Sequence, residues 1–184
     1  MPLAGYSRHE VTARGFSLSV IAGRPHSQGG SFFAFARYLA ETYGVRSFDE
    51  SAERLRELVD EAPHEHLVFV AHNGPSGLGA SRDDIWGCDF KLEAGDFGDA
   101  DLRAAIEYAQ SRRKRVLAVA AGHMHHRLKG GGKRKWLVER EGVLYVNAAR
   151  VPRIQRSQSG ERRHHVLLEV HRDGARAELV TVGA

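Results

Sequence analysis

Residues 116–126 read V-L-A-V-A-A-G-H-M-H-H, a short apolar run followed at once by three histidines. An apolar run of this length, with charged residues before it and glycine after it, predicts a buried strand. Because residues i and i+2 of an extended chain face the same side, we expect His123 and His125 to point toward one place beyond the strand end. Paired neutral imidazoles are common metal ligands. The stretch therefore predicts a strand that presents histidine ligands to a metal ion.

A second apolar run, L-V-F-V-A at residues 67–71, also leads directly into a histidine, His72. In open α/β sheets, ligands bind outside the carboxyl ends of the strands. Two strand exits that carry metal-type side chains therefore predict one site, with His72, His123 and His125 as its metal ligands.

The rest of the chain divides into two parts. The first mixes predicted helices and strands, and in the second apolar residues recur at every second position, as in β-strands. Pro63 ends the second predicted helix, whose start at Ser47 forms a capping box with Glu50. The predicted segments before the histidine cluster are a strand at 16–23, helices at 32–44 (capped by Ser31), 47–62 and 99–110 (capped by Asp99), and a long surface loop at 81–98. Those after it are antiparallel strands at 135–140, 143–147, 166–171 and 177–182, a flexible basic connection at 130–134 and a mobile loop at 153–163. This order predicts two packed sheets flanked by helices.

Composition places the chain among single globular domains. It has 184 residues, 42% of them hydrophobic, and a net charge of +4. The one cysteine, Cys88, excludes an intramolecular disulfide, and the N-terminus carries no apolar leader. We therefore expect a soluble, cytoplasmic protein without membrane contact. Basic residues concentrate at 112–115, 129–135 and 150–163, a pattern that permits polyanion binding but is more typical of solvated loops.

Several motifs resemble the second half of a calcineurin-like metallophosphoesterase. These are H-x-x-P at 72–75 and G-H-x-H at 122–125, together with A-H-N-G-P-S-G-L-G, G-D-F-G-D-A-D-L and V-N-A-A-R-V-P-R. The resemblance implies a four-layer α-β-β-α sandwich that binds two divalent ions (Mn, Fe or Zn). It also implies hydrolysis of a phosphate ester by metal-bound hydroxide. In that pattern His72 and His123 bind one ion and His125 binds the other, whereas His126 matches no ligand position.

The chain departs from the family pattern before His72. The family's D-x-H, G-D and N-H-[DE] motifs, which supply carboxylates, an Asn ligand and a catalytic His, are missing there. The G-D-F-G-D at 95–99 follows His72 and is interpreted as a loop and a helix cap. We therefore interpret residues 1–184 as one partial domain of a truncated chain, with impaired or absent activity and no catalytic residue to assign. Without the opening units, the strand at 67–71 or at 16–23 should form an exposed apolar edge.

Two other functions are compatible with the sequence. Three imidazoles and a water can hold a single catalytic zinc ion, so His72, His123 and His125 could form a mononuclear zinc hydrolase. The basic runs could instead belong to a non-catalytic α/β module that binds nucleic acid or another polyanion. The paired histidine motifs favour a phosphate-ester substrate over nucleic acid. In a two-metal site, carboxylates would also be needed to balance the charge. Asp83, Asp84 and Asp89 are the available loop candidates.

Overall fold

A computed structural model describes residues 5–91, 93, 95–158 and 160–183 of the chain. The residues Met1–Ala4, on which the expectation about the N-terminus partly rests, lie outside this description. In chain order the elements are β1 (Ser7–Ala13), β2 (Phe16–Ala22), α1 (Ala36–Tyr43), α2 (Phe48–Glu61), β3 (His66–Val70), α3 (Ala100–Ser111), β4 (Arg115–Ala121), β5 (Leu137–Arg140), β6 (Val143–Asn147), β7 (Ile154–Ser157), β8 (Gly160–His171) and β9 (Gly174–Val182). No helix in the described ranges is long and apolar enough to cross a membrane.

Six strands form a mixed sheet in the order β1-β2-β3-β4-β6-β5. The four central strands are parallel, and β1 and β5 add antiparallel edges. The prediction of an exposed apolar edge at residues 67–71 or 16–23 is wrong. β1, which sequence analysis missed, covers β2, and β3 lies between β2 and β4. β5 and β6 pair antiparallel as predicted, but β6 also pairs in parallel with β4 on its other side, which was not predicted.

Side chains alternate between the two faces of the six-stranded sheet. Leu67, Phe69 and Val119 pack against the helices, and apolar residues of α1, α2 and α3 all belong to this one core. Val68 and Ala118 face the other way, toward the three-stranded sheet β7-β8-β9. The described residues thus form three layers, with helices on one face and a smaller sheet on the other. The outer helix layer of the predicted four-layer sandwich is not found among them.

The helices follow their sequence signals to different degrees. α2 begins as predicted, because the Ser47 hydroxyl accepts the Glu50 backbone N–H at 3.1 Å, a cap that contributes about 1 kcal/mol. α1 is shorter than predicted: it begins after Phe35, which has a left-handed backbone (φ 61°), and not after Ser31. α3 begins after Asp99 as predicted, but the Asp99 side chain makes no capping hydrogen bond.

Two segments predicted as loose connections are ordered. Residues 153–163, predicted as a mobile loop, contain β7 and the start of β8, which pair as a hairpin. Residues 130–134, predicted as a flexible basic connection, end in Arg134, whose side chain is fully buried and forms an ion pair with Asp89 at 2.8 Å. The strands of this hairpin are mostly polar and exposed, so no period of apolar residues marks them. Nothing local in the sequence shows that Arg134 has buried acceptors.

The segment at 81–98 was predicted as a surface loop, but the residues in its middle are buried in the core. Ile85, Trp86 and Cys88 are at most 1% exposed, and residues 92 and 94 are outside the description. The Trp86 ring lies so close to Gly74 that a β-carbon there would stand 2.0 Å from it. Glycine at position 74 is therefore required for the segment to pack beside the exit of β3.

Candidate functional site

The site is built where three neighbouring parallel strands end. β2, β3 and β4 run in the same direction, so their carboxyl ends meet at one edge of the sheet. Backbone hydrogen bonds continue past the strands: Gly23 donates to Val70 at 2.7 Å, and Gly122 donates to the His72 carbonyl at 3.0 Å. The loops that follow β3 and β4 are therefore held side by side.

His72 and His123 are brought into direct contact at this edge. Nε2 of His72 lies 3.1 Å from Nδ1 of His123, and the ring centroids are 4.9 Å apart. Burial lowers the pKa of His72, and the nearby His123 and His26 lower it further. Burial also lowers the pKa of His123, although a hydrogen bond to the Gln28 backbone opposes the change. Both shifts favour the neutral ring, the form in which imidazole binds metals.

His125 does not join this pair. β4 ends at Ala121, and His123 takes a left-handed conformation with φ 67°. Because the chain turns there, the i, i+2 relation of an extended strand does not apply. Met124 is buried and His125 is exposed. In residues 5–91, 93, 95–158 and 160–183, no group of three or more His, Cys, Asp or Glu side chains could hold a metal ion.

A third histidine at the same edge, His26, was missed in the sequence. It follows β2, and its ring centroid lies 6.0 Å from that of His72 and 5.1 Å from that of Tyr38. His26 stands alone between a predicted strand and a predicted helix, and no motif in the sequence marks it. The usable signal was simpler: β2, β3 and β4 are each followed within a few residues by a histidine.

The loop after β4 is anchored by Asn147, at the end of β6, which sequence analysis also missed. Its fully buried side-chain amide donates to the carbonyls of Met124 at 2.7 Å and Ile85 at 3.1 Å. The His126 ring bonds the Asn147 carbonyl at 2.7 Å, a structural role consistent with His126 matching no ligand position. A buried asparagine at a strand end was the only signal in the sequence.

A buried ionic cluster lies directly behind His72. Arg24, 2% exposed, contacts Asp99 at 2.9 Å and Asp101 at 3.0 Å. Asp99 also accepts hydrogen bonds from Ser27 at 2.6 Å and from the Asn73 amide at 3.3 Å. The Arg24 carbonyl accepts the backbone N–H of His72. The cluster therefore ties the exits of β2 and β3 to the start of α3.

The pKa of Asp99 predicts how the free energy of unfolding depends on pH. Burial raises the pKa of this carboxyl from 3.8 to about 6, against the opposing effect of Arg24. Between these pH values the folded state binds the proton more tightly than the unfolded chain. The stability contributed by the group is therefore fully present below about pH 4 and is lost as pH rises through about 6. We expect the unfolding free energy of the parent chain, relative to the Asp99→Asn variant, to fall by about 2–3 kcal/mol over this range.

Urea unfolding of both chains at pH values on either side of this interval measures the difference. Parallel stability profiles for the two chains would show that Asp99 does not titrate there.

The His123 ring also borders an open cleft of about 540 Å³. Its walls include the glycine-containing turn at 28–31 and the rings of Phe32 and Phe90, which are 70% and 42% exposed. The ammonium of Lys91 lies 4.9 Å from the centre of the Phe97 ring on the same wall. The histidine pair is thus reachable from solvent through a cleft with aromatic and basic walls.

The potential metal ligands at this edge of the sheet do not form a complete two-metal centre. Two divalent ions need carboxylates, one of them bridging, to balance their charge. The carboxylates of Asp99 and Asp101 are bound to Arg24, and those of Asp84 and Asp89 are bound to Lys135 and Arg134. Asp96 lines the same cleft as His123, and its carboxylate accepts the backbone N–H groups of Gly77 and Gly98. The described residues therefore supply imidazoles and one backbone-bound carboxylate to this cleft, fewer acidic ligands than two ions need.

Comparison with known proteins returns no family profile and no curated protein that matches this chain. Among solved structures, a hypothetical protein from Thermus thermophilus aligns over 95% of this chain and 61% of its own, with 12% identity and a TM-score of 0.45. A putative 5'-nucleotidase from Staphylococcus aureus aligns over 95% of this chain and 29% of its own, with 10% identity and a TM-score of 0.42. The chain thus spans less than two thirds of either protein.

Proposed function

We propose that this chain carries the histidine side of a metal-dependent phosphoesterase site, with a phosphate ester as substrate. The observation that carries the proposal is the contact of His72 Nε2 with His123 Nδ1, at 3.1 Å. Two ring nitrogens at this separation can turn toward one ion, because Zn–N bonds of about 2.0–2.1 Å in a tetrahedral site place ligand nitrogens a little over 3 Å apart. His125, exposed on the same loop, is the proposed ligand of a second ion.

The motifs around the pair support the same function. H-x-x-P at 72–75 and G-H-x-H at 122–125 supply the two contacting rings, and both follow parallel strands of one sheet. In such a site, divalent ions activate water and stabilise charge on the phosphoryl group. The chain's own residues hold the two imidazoles neutral and adjacent, and they leave a cleft open beside His123. A complete two-metal centre would require carboxylates in addition to Asp96, the acidic residue among those described that line this cleft.

Metal binding tests the proposal without depending on turnover. We expect isothermal titration with Zn²⁺ or Mn²⁺ to show affinity at least about tenfold weaker in the His72→Ala and His123→Ala variants. His165→Ala is the matched control, because His165 is an exposed histidine on β8, away from the site. Equal affinity in the parent chain, the two site variants and the control would contradict the proposal.

Hydrolysis of p-nitrophenyl phosphate with added Mn²⁺ or Zn²⁺ tests the reaction itself. We expect metal-dependent release of nitrophenol that is slow in the parent chain and absent from the His123→Ala variant. The mononuclear zinc alternative differs in stoichiometry, since it requires one ion per chain and loss of that ion in His125→Ala. Metal-independent hydrolysis that survives loss of both site histidines would exclude the proposed centre.

A further inference from the structure

The inner face of the six-stranded sheet, the face that carries Val68 and Ala118, is covered over only part of its width. Over β4 and β6 the three-stranded sheet buries Ala118 and Val146 completely. The cover stops at Val11 of β1 and at Val70, the last residue of β3, which are 44% and 43% exposed, whereas Val68 of β3 is still buried. Parallel strands are normally buried on both faces. The uncovered part is therefore unusual for a sheet of this kind.

An apolar cleft of about 650 Å³ occupies the uncovered region. Its floor is formed by inner-face side chains of β1, β2 and β3, and its wall by residues near the end of β8. The aliphatic side chains of this lining include Val11, Val20, Val68, Val70, Leu168 and Val170. The cleft lies between the two sheets, where a further strand of the smaller sheet would stand.

The strand that borders this cleft has a free hydrogen-bonding edge. β9 pairs with β8 from Arg163 to His171, but β7 pairs only with residues Gly160–Arg163 on the opposite side. Past His164, whose N–H donates to the Arg153 carbonyl at 2.8 Å, no described strand pairs with that side of β8. An unpaired edge of this kind is a template for another strand.

Charge at one end of the cleft indicates what a binding segment would carry. Arg14 and Arg172 line this end and are exposed, and neither forms an ion pair within the described residues. The carboxylate on the lining, that of Glu169, is already paired with Arg176 at 2.5 Å. The unpaired charge at this end is therefore positive and complements an acidic residue.

We propose that an extended segment of a partner polypeptide binds this cleft as an added strand on residues 165–171 of β8. Backbone hydrogen bonds to β8 would supply the pairing, and alternate apolar side chains would cover Val11, Val20 and Val70. An acidic residue of the segment would meet Arg14 and Arg172. This mode is strand addition to an exposed sheet edge. It involves none of the site histidines, so it stands or fails independently of the phosphoesterase proposal.

Hydrogen exchange with a synthetic peptide tests the inference. The probe is a peptide of about eight residues with alternating valine and threonine and two glutamates at one end, long enough for one strand. At saturating peptide, we expect exchange of backbone amides within residues 165–171 to slow at least about tenfold. A peptide with proline at alternate positions, which removes backbone donors, should give no protection.

Two matched valine variants separate binding at the cleft from binding elsewhere. Val70→Lys places a charge in the cleft and should abolish the protection. Val182→Lys, at a residue 54% exposed on the outer face of the smaller sheet, should leave it unchanged. Circular dichroism of both variants checks that each remains folded.

Three results would overturn the inference. One is exchange throughout residues 165–171 that is already as slow without peptide as in β3, which is paired on both sides, because the edge would then be closed. Another is the absence of slowing with the alternating peptide, or equal slowing in Val70→Lys. The third is a concentration-dependent dimer in sedimentation that Val70→Lys disrupts, since the occupant would then be a second copy of this chain.

Discussion

Replacing Arg24 with methionine is expected to lower the free energy of unfolding by about 3–5 kcal/mol at neutral pH. The Arg24 guanidinium binds two buried carboxylates, Asp99 and Asp101, and both lose their countercharge in the variant. Removing one partner of a buried ionic group leaves desolvated charge without compensation, which costs far more than an exposed ion pair contributes. Urea unfolding followed by far-ultraviolet circular dichroism measures the change.

A matched arginine on the surface provides the control. Arg103 pairs with Glu107 one turn along α3, with both side chains more than half exposed, and Arg103→Met should cost no more than about 0.5 kcal/mol. The chain with Arg24→Met, Asp99→Asn and Asp101→Asn together should recover part of the lost stability, because it contains no buried charge at this position. If Arg24→Met lowers the free energy of unfolding no more than Arg103→Met does, the buried ion pairs of Arg24 do not stabilise the fold.

Replacing Arg134 with alanine is the second change expected to have a large effect, again about 3–5 kcal/mol of destabilisation. Its guanidinium donates to the carbonyls of Arg82, Asp84, Gly87 and His125 and pairs with Asp89. Alanine removes all of these donors. The carbonyl of Asp84 keeps the N–H of Gly87 and the carboxylate of Asp89 keeps that of Lys129, but the buried bond to the Gly87 carbonyl is lost, and an acceptor left unsatisfied adds a desolvation penalty. The same bonds join the segment at 81–98 to the loop after β4.

Lys133→Ala is the control for Arg134, because Lys133 is the preceding basic residue and is exposed. We expect its effect to stay within about 0.5 kcal/mol. The two unfolding curves are measured under the same conditions. They show whether Arg134 stabilises the fold through its buried hydrogen bonds or is, like Lys133, a solvated residue of a basic loop. If Arg134→Ala unfolds at the same urea concentration as Lys133→Ala, the hydrogen bonds to the carbonyls contribute nothing to stability.

Much of the fold could be predicted because its signals are local. The apolar runs predict β3 and β4, the capping box at Ser47 predicts the start of α2, and the apolar stripe from Leu102 to Ala109 predicts the buried face of α3. The meeting of His72 and His123 was also expected, since parallel strands end at a common edge. The meeting joins residues 51 positions apart, but the signals that predict it, an apolar run followed by a histidine, lie within a few positions of one another, as do those of the other features.

Only the tertiary structure decided which other groups reach that edge. His125 leaves the pair because the loop after β4 turns at His123, held by Asn147 and Arg134 from elsewhere in the chain. His26 reaches His72 because β2 lies beside β3.

The sequence by itself thus determined the helices, most strands other than β1 and β7, and the two histidine motifs, because the period of apolar residues is a local property. The tertiary structure decided the direction of each loop, the burial of Arg24 and Arg134, and the uncovered strip of sheet beside β8. Each of these depends on partners distant in the chain, whose hydrogen bonds and packing no short stretch of sequence encodes.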